Sequence, residues 1–419
     1  MFISEKHIVR LYQLTLLLFV FLLPIYRKVI PYIIVLLIIT WLLDGDLVTK
    51  ARRLTRSSHR INTLLFGGIY IMYLIGLMYT GNFSNGLFDV EVKLSLVIFP
   101  VIFSSMNKEV ISPPFVRKVL ISFVFGVMAS MVLCYSVAVV NYLKTGLLES
   151  FYYNNLAIFI HPSYLAMYVC FAIFILLYFN VNGWIRKPIH RMLTISLVLL
   201  FELFIIMLSS KAGILSLMLT ISLFIAYVIF IEKRILSGLS LGGVVSVSFL
   251  IMFILFPVSA ERFEQSRAAL GEASVRTDII ANSTGERIMI WWYSFEITNE
   301  NFISGVGTGD VKAHLLNKYE EKGMSHARQL ELNAHNQYLQ TMIAIGIIGL
   351  IILLLGLILP ALYSLEHRHY LYFVFLLLIA FNFLFESMLE TQAGVVFYAF
   401  FNAYLFAIKK DPASREAGS

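Results

Sequence analysis

The sequence predicts an all-α polytopic integral membrane protein of about 12 transmembrane helices, with one large loop between spans 9 and 10. Two observations carry this. Of 419 residues, 59% are hydrophobic and only 14% charged, far less charge than a soluble chain of this length carries. The apolar residues also come in runs near the roughly 20 residues a helix needs to cross the hydrocarbon. The short alternating segments of a membrane barrel are not found.

In chain order, residues 1–256 hold the first nine spans, expected at 8–26, 28–43, 62–79, 92–105, 116–140, 161–180, 190–208, 211–231 and 238–256. A polar segment, 257–334, follows as the loop, and residues 335–408 hold spans at 335–360, 369–386 and 389–408. The end, 409–419, reads as a disordered cytoplasmic tail. The first apolar run lacks a small-residue cleavage site and reads as a retained first span. Cys134 and Cys170 both fall inside apolar runs and read as packing residues.

Basic residues set the orientation. Lys6 and Arg10, the group from Lys50 to Arg60, Lys108, Arg117 and Lys118, Arg186 to Arg191, Lys233 and Arg234, Arg368, and Lys409 and Lys410 all fall on alternate connections and the termini. Arg27 and Lys28 go against the trend. Both termini are therefore expected in the cytoplasm and the large loop outside, which in a bacterium is the periplasmic side of the inner membrane. This bias also accounts for the net charge of +7, so nucleic acid is not expected as a partner. The loop itself has about eight Lys and Arg against about eleven Asp and Glu, so anion binding there needs individually placed arginines.

Within the loop, Arg287, Ile288, Ile290, Trp291, Trp292, Phe295 and Ile297 fit an amphipathic helix at a membrane interface. Asn301 to Asp310 reads as a turn in which Gly305, Gly307 and Gly309 permit tight backbone paths. Residues 311–334 are polar and compatible with helix.

Candidate chemistry gathers where loop becomes span. His335 stands at the expected start of span 10, where the positive end of the helix dipole favours a neutral imidazole. Such a ring can take a proton from a hydroxyl; equally, it could simply cap the helix. Arg287 can fork onto the oxygens of a diphosphate, or pair with Glu286, or anchor at the interface. Lys211 in Ser-Ser-Lys-Ala-Gly is either a second phosphate contact or a snorkelling surface charge. His161, ahead of Pro162, opens span 6 whatever else it does. Glu386 and Glu390 are four residues apart and could share one helix face. They would then orient His335 or pair with Arg287 or Lys211; otherwise they are solvated turn residues. No phosphate loop, HExxH, paired CxxC or GxSxG occurs. No metal or cofactor is expected.

The order Arg287-(x)3-Trp291, Gly305-Val-Gly-Thr-Gly309, His335-Asn-Gln-Tyr-Leu-Gln340 and Gly346-Ile-Ile-Gly-Leu350 resembles the O-antigen ligase/polymerase superfamily, and within it the O-antigen ligases. His161-Pro-Ser-Tyr164 and Glu386-Ser-Met-Leu-Glu390 add to the likeness. The resemblance implies a metal- and nucleotide-independent glycosyltransferase. Such an enzyme moves a glycan from an undecaprenyl-diphosphate carrier to a hydroxyl of lipid A–core, with membrane lipids around both substrates. It makes His335 the catalytic histidine and Arg287 the diphosphate-binding loop arginine, with His161, Tyr164, Asn336, Glu386 and Glu390 in support. Lys211 stands where many members carry arginine, keeping the charge but losing the fork. A polymerase, using a second lipid-linked glycan as acceptor, shares this chemistry. A transporter would instead place charges deep within several spans.

Overall fold

The computed structural model describes residues 5–44, 47–55, 57–106, 111–255 and 283–408. The first third of the expected loop, 257–282, the tail 409–419 and Lys108 lie outside the described residues. All regular structure among the described residues is helical.

The helices in order are α1 (Glu5–Leu22), α2 (Ile30–Leu43), α3 (Leu47–Thr55), α4 (Ser57–Leu77), α5 (Phe83–Lys93), α6 (Ser95–Ser105), α7 (Pro113–Thr145), α8 (Pro162–Val181), α9 (Pro188–Met207), α10 (Lys211–Ala226), α11 (Ile235–Leu255), α12 (Ser283–Glu300), α13 (Val311–Glu321), α14 (Ser325–Gln329), α15 (Gln337–Glu366), α16 (Tyr370–Asn382) and α17 (Gln392–Ala407). Among the described residues, six helices are long and apolar enough to cross a membrane: Pro113–Thr145, Pro162–Val181, Pro188–Met207, Lys211–Ile231, Ile235–Met252 and Gln337–Glu366. The bent pair Arg27–Leu43 and Leu47–Leu54 would make a seventh. Helices also occupy the other expected spans, but His7–Leu22, Leu65–Leu77, Tyr370–Asn382 and Gln392–Ala407 are shorter apolar pieces. The expected span 92–105 is divided: α5 ends at Lys93 and α6 carries Pro100 inside it.

The pillar of the bundle is α8, whose residues from Pro162 to Phe179 are all buried. A helix that is apolar all round can be accommodated only where neighbours surround it. Here α7, α9, α10 and α16 do so. Rings knit the centre: Phe171 packs edge-on to Phe375 and Phe401, and Phe123 to Phe401. Both cysteines are buried in this packing.

One expected span is not continuous. Within α15, Ile345 and Gly346 leave helical geometry, with Gly346 at φ +67°. The chain 302–310 fills that break. Val306 and Gly307 donate to the carbonyls of Ile343 and Ala344 at 2.8 and 3.0 Å, and Ile347 donates back to Phe302 at 2.9 Å. A break in a membrane helix frees backbone groups that must find partners, and the glycine-rich turn supplies them. A β-carbon on Gly346 would lie 2.1 Å from the Ile303 carbonyl oxygen, and one on Gly305 2.6 Å from the Ile343 oxygen. The turn is locked on its other side by α4 and the chain after it. The Thr308 hydroxyl donates to the Tyr73 carbonyl at 2.7 Å, and Asp310 accepts from the amides of Gly81 and Asn82 at 2.6 and 2.8 Å.

The rest of the segment folds onto the same end of the bundle. α12 buries Ile290, Tyr293, Ser294 and Ile297, a helix-period stripe, and packs on α15. Its opposite face leaves Trp292 and Phe295 exposed. α13 is tied back by Lys318, which pairs with Glu296 at 3.1 Å.

Candidate active site

His335 lies two residues before α15, not in it. Asn336 is the N-cap, its side-chain oxygen accepting from the Leu339 amide at 3.1 Å. The capping role is thus filled by the neighbour, which leaves the imidazole free of it. His335 itself sits at φ +45°, a left-handed conformation costly for a residue with a β-carbon. Its amide donates to Asn333 Oδ1 at 3.0 Å, and its carbonyl accepts from Trp291 Nε1 at 3.4 Å.

The turn after α16 is stitched to this corner. Gln337 donates its amide to the Phe383 carbonyl at 2.7 Å and accepts from the Leu389 amide at 2.7 Å. The Asn336 amide donates to the Ser387 hydroxyl at 3.3 Å, and its side chain donates to the Leu384 carbonyl at 3.2 Å. These bonds place buried Glu386 against the imidazole.

Glu386 joins the two central candidates. Its Oε1 accepts from Arg287 at 3.1 Å, and its Oε2 lies 3.6 Å from His335 Nδ1, an ion-pair separation just beyond a hydrogen bond. Arg287 also donates to the Phe385 carbonyl at 3.1 Å, so its fork is aimed by two groups of one turn. Burial alone would push the Glu386 carboxyl up. Contact with His335, then the charge of Arg287, overcomes this and holds it at about 2. Glu286, the alternative partner for Arg287, instead lies 2.9 Å from His326 Nδ1.

Lys211 opens α10, capped by Ser210. Its ammonium donates to the Thr284 hydroxyl at 2.7 Å. Thr284 and Arg287 are three residues apart on α12, hence on one helix face. The cation is thereby held at the end of the helix that carries Arg287. The Ser210 hydroxyl donates to Ser163 at 3.1 Å, which brings the starts of α10 and α8 together. His161 caps α8, its Nδ1 accepting from the Ser163 amide at 3.4 Å, and Tyr164 packs edge-on to it. Burial first, with the charges of Arg287 and His335, holds the His161 ring below its usual value against the pull of Glu386. Tyr164 lies within electrostatic reach of Glu386 and Arg287.

Glu390 does not share a helix face with Glu386. The chain leaves helix between them, with Ser387 at ψ 72°, so the four-residue spacing does not align them. Glu390 points to a second cluster, 3.0 Å from the fully buried Lys93, which also holds Asp89 at 2.5 Å. Burial, then the neighbouring Asp89 charge, pushes the Glu390 carboxyl up. The sequence reading missed Lys93 and Asp89. Their signal was present: a lysine inside an expected span is costly unless paired, and Asp89 stands four residues before it. Among the described residues, no group of three or more His, Cys, Asp or Glu side chains is placed to hold a metal ion.

No curated protein sequence matches the chain. Residues 195–354 match the family model described as O-antigen ligase, which spans Lys211, Thr284, Arg287, Trp291 and His335. Members of this family are glycosyltransferase-type enzymes of lipid-linked glycans, of ligase or polymerase kind. Over residues 195–354 the family model therefore agrees with the resemblance read from the motifs, and that stretch is similar to the O-antigen ligases.

Proposed function

We propose that the protein is an inverting glycosyltransferase of the ligase kind, moving a glycan from undecaprenyl diphosphate to a hydroxyl of lipid A–core at the periplasmic face of the inner membrane. The observation that supports it best is the single buried carboxylate, Glu386, that touches both Arg287 and His335. In this reading twelve spans hold the site, with both termini in the cytoplasm.

The arrangement assigns a task to each group. Glu386 is ionised at neutral pH and faces Nδ1, so the favoured tautomer carries its proton there and leaves the Nε2 lone pair for the acceptor. The acceptor oxygen attacks the anomeric carbon while its proton passes to Nε2. The bond from that carbon to the diphosphate oxygen breaks, and undecaprenyl diphosphate leaves with the electron pair. Arg287 uses two of its contacts on Phe385 and Glu386, and its remaining donors are available for phosphate oxygens. Lys211, at the start of the same face, adds a second cation against the developing charge. His161, Tyr164 and Asn336 support the geometry.

The test is the lipopolysaccharide profile of a deletion strain complemented with wild type or with His335→Ala at equal expression. Loss of the long-chain ladder, accumulation of lipid-linked glycan and no rescue by the variant are expected. A core carrying a single repeat unit would point to the polymerase instead, and an unchanged profile would overturn the reading.

A further inference from the structure

A cavity of about 380 Å³ lies beside the candidate site, walled by α5, α13, the 331–333 chain and Glu390. That size falls in the range of small-molecule sites, roughly 300–1,000 Å³. Its lining has two features that bear on what it holds.

Two buried or half-buried amides face it with their oxygens already used. Gln340 is only 5% exposed, and its Oε1 accepts from the Ala334 amide at 3.1 Å. Asn333 Oδ1 accepts from the His335 amide at 3.0 Å. The NH2 groups of both side chains have no protein partner among the described residues, although both residues line the cavity. Both NH2 groups are open to the cavity, so water or a ligand there can accept from them. The second feature is charge. Asp89, Glu331 and Glu390 line the cavity against the single lining cation Lys312, itself paired with Glu331 at 2.6 Å. Lys93 behind the wall is shared between Asp89 and Glu390. Both lysines are already engaged by carboxylates, so the lining has no cation to spare for a diphosphate. A hydroxyl-rich, uncharged group suits it: carboxylates accept from hydroxyls, amide NH2 groups donate to them, and exposed Phe88 offers an apolar face to ring C–H groups.

We propose that this cavity binds the sugar residues of a glycan substrate, separately from the Arg287–Lys211 side where the diphosphate would sit. This rests on the glycosyltransferase reading for its substrate class but not for its binding test. The two amides hold the backbone of Ala334 and His335, so an occupant that bonds to them also steadies the loop presenting the imidazole. Asn333 and Gln340 are positioning residues in this scheme. The occupant is the sugar portion of either the donor or the acceptor, and the two sources are distinguished by experiment.

Asn85 lines the cavity from an exposed position on α5, and no side-chain bond of the fold depends on it. Asn85→Trp should fill the space without disturbing the core, and Phe88→Ala should remove the apolar face. Full-length protein in detergent would be titrated calorimetrically with two lipid-free probes: the reducing glycan released by mild acid from the lipid-linked donor, and delipidated core oligosaccharide. Binding of one probe by wild type, weakened at least about tenfold in both variants, supports the site and names its source. In transfer assays the KM for that same substrate should rise with kcat little changed. Binding of neither probe, or binding untouched by Asn85→Trp, overturns the proposal. Should wild type bind a probe in this cavity yet transfer nothing, the glycan site stands and the ligase reading falls.

Discussion

Arg287 donates to one carboxylate oxygen of Glu386 at 3.1 Å, and this bond joins α12 to the turn between the last two helices. Glu386 is buried, so its charge depends on its partners. Removing one partner of a buried pair is costly because the other charge is stranded, by roughly 3–5 kcal/mol in comparable pairs. Arg287→Ala and Glu386→Ala should each lower thermal stability in detergent. The double variant should lose less than the two losses summed, with a coupling of about 0.5–3 kcal/mol. Strictly additive losses would show that the contact carries no energy.

His335 separates stability from activity. Its φ of +45° strains a residue with a β-carbon, and strain of this kind costs about 1–3 kcal/mol. His335→Gly relieves this strain but removes a partner of Glu386, so the melting temperature should change little while transfer falls. The expected fall is of the order that general-base catalysis supplies, roughly 10²–10⁴-fold. A variant that is still active would remove His335 from the chemistry.

The class of fold and the central residues were legible because they rest on composition and local spacing. Low charge and long apolar runs announce membrane helices, and a histidine or arginine beside such a run stands out. What could not be read depends on contacts distant in sequence. The sequence offers Arg287 two partners, Glu286 beside it and Glu386 99 residues on, and nothing local decides for the distant one while Glu286 pairs elsewhere. The α15 break was hidden for a similar reason. Ile345 and Gly346 sit in an apolar run that scores as one span, and only the inserted 302–310 chain makes the break affordable. The glycines of that turn were visible, but their partner was not. Lys93 shows the opposite failure: its signal was local, yet it was counted as an ordinary residue of a span.

Lys211 contacts the Thr284 hydroxyl at 2.7 Å, and through α12 stands near Arg287. If it contacts the diphosphate, a planar fork should serve as well or better. Lys211→Arg should keep the KM for the lipid-linked donor or lower it, whereas Lys211→Ala should raise it about tenfold or more with the acceptor KM unchanged. Equal effects on both substrates would mean that Lys211 serves only to seat α12.

The Glu386 carboxyl also sets a pH dependence with a definite sign. Its folded value of about 2 lies below the ordinary 4.5, so its contribution to stability is complete above pH 4.5 and is lost as pH falls toward 2. Thermal stability should be insensitive to this group between pH 5 and 8 and decline below about 4.5. In Glu386→Gln that acid-side decline should shrink. The same variant should lose at least about 10²-fold in transfer at pH 7, since an amide can no longer fix the imidazole tautomer as a carboxylate does. A full acid-side decline in Glu386→Gln would assign it to other groups.

The seam between the broken helix and the glycine turn gives the sharpest structural test. At Gly346 a side chain meets two obstacles at once: φ is +67°, and a β-carbon would sit 2.1 Å from the backbone oxygen of Ile303. That oxygen belongs to a chain bonded to α15 at Phe302, Val306 and Gly307, so it cannot yield without opening three hydrogen bonds. Gly346→Ala should therefore lower the melting temperature strongly and release the 302–310 chain, read as new proteolytic cleavage or faster amide exchange in that stretch. Gly356→Ala is the control. It lies ten residues away in ordinary helix of α15, where a β-carbon would meet nothing nearer than 3.8 Å. If both substitutions cost the same, the effect is not specific to the seam. A loss confined to Gly346→Ala would tie the turn's attachment to that one backbone conformation, and with it the placement of α12 and Arg287.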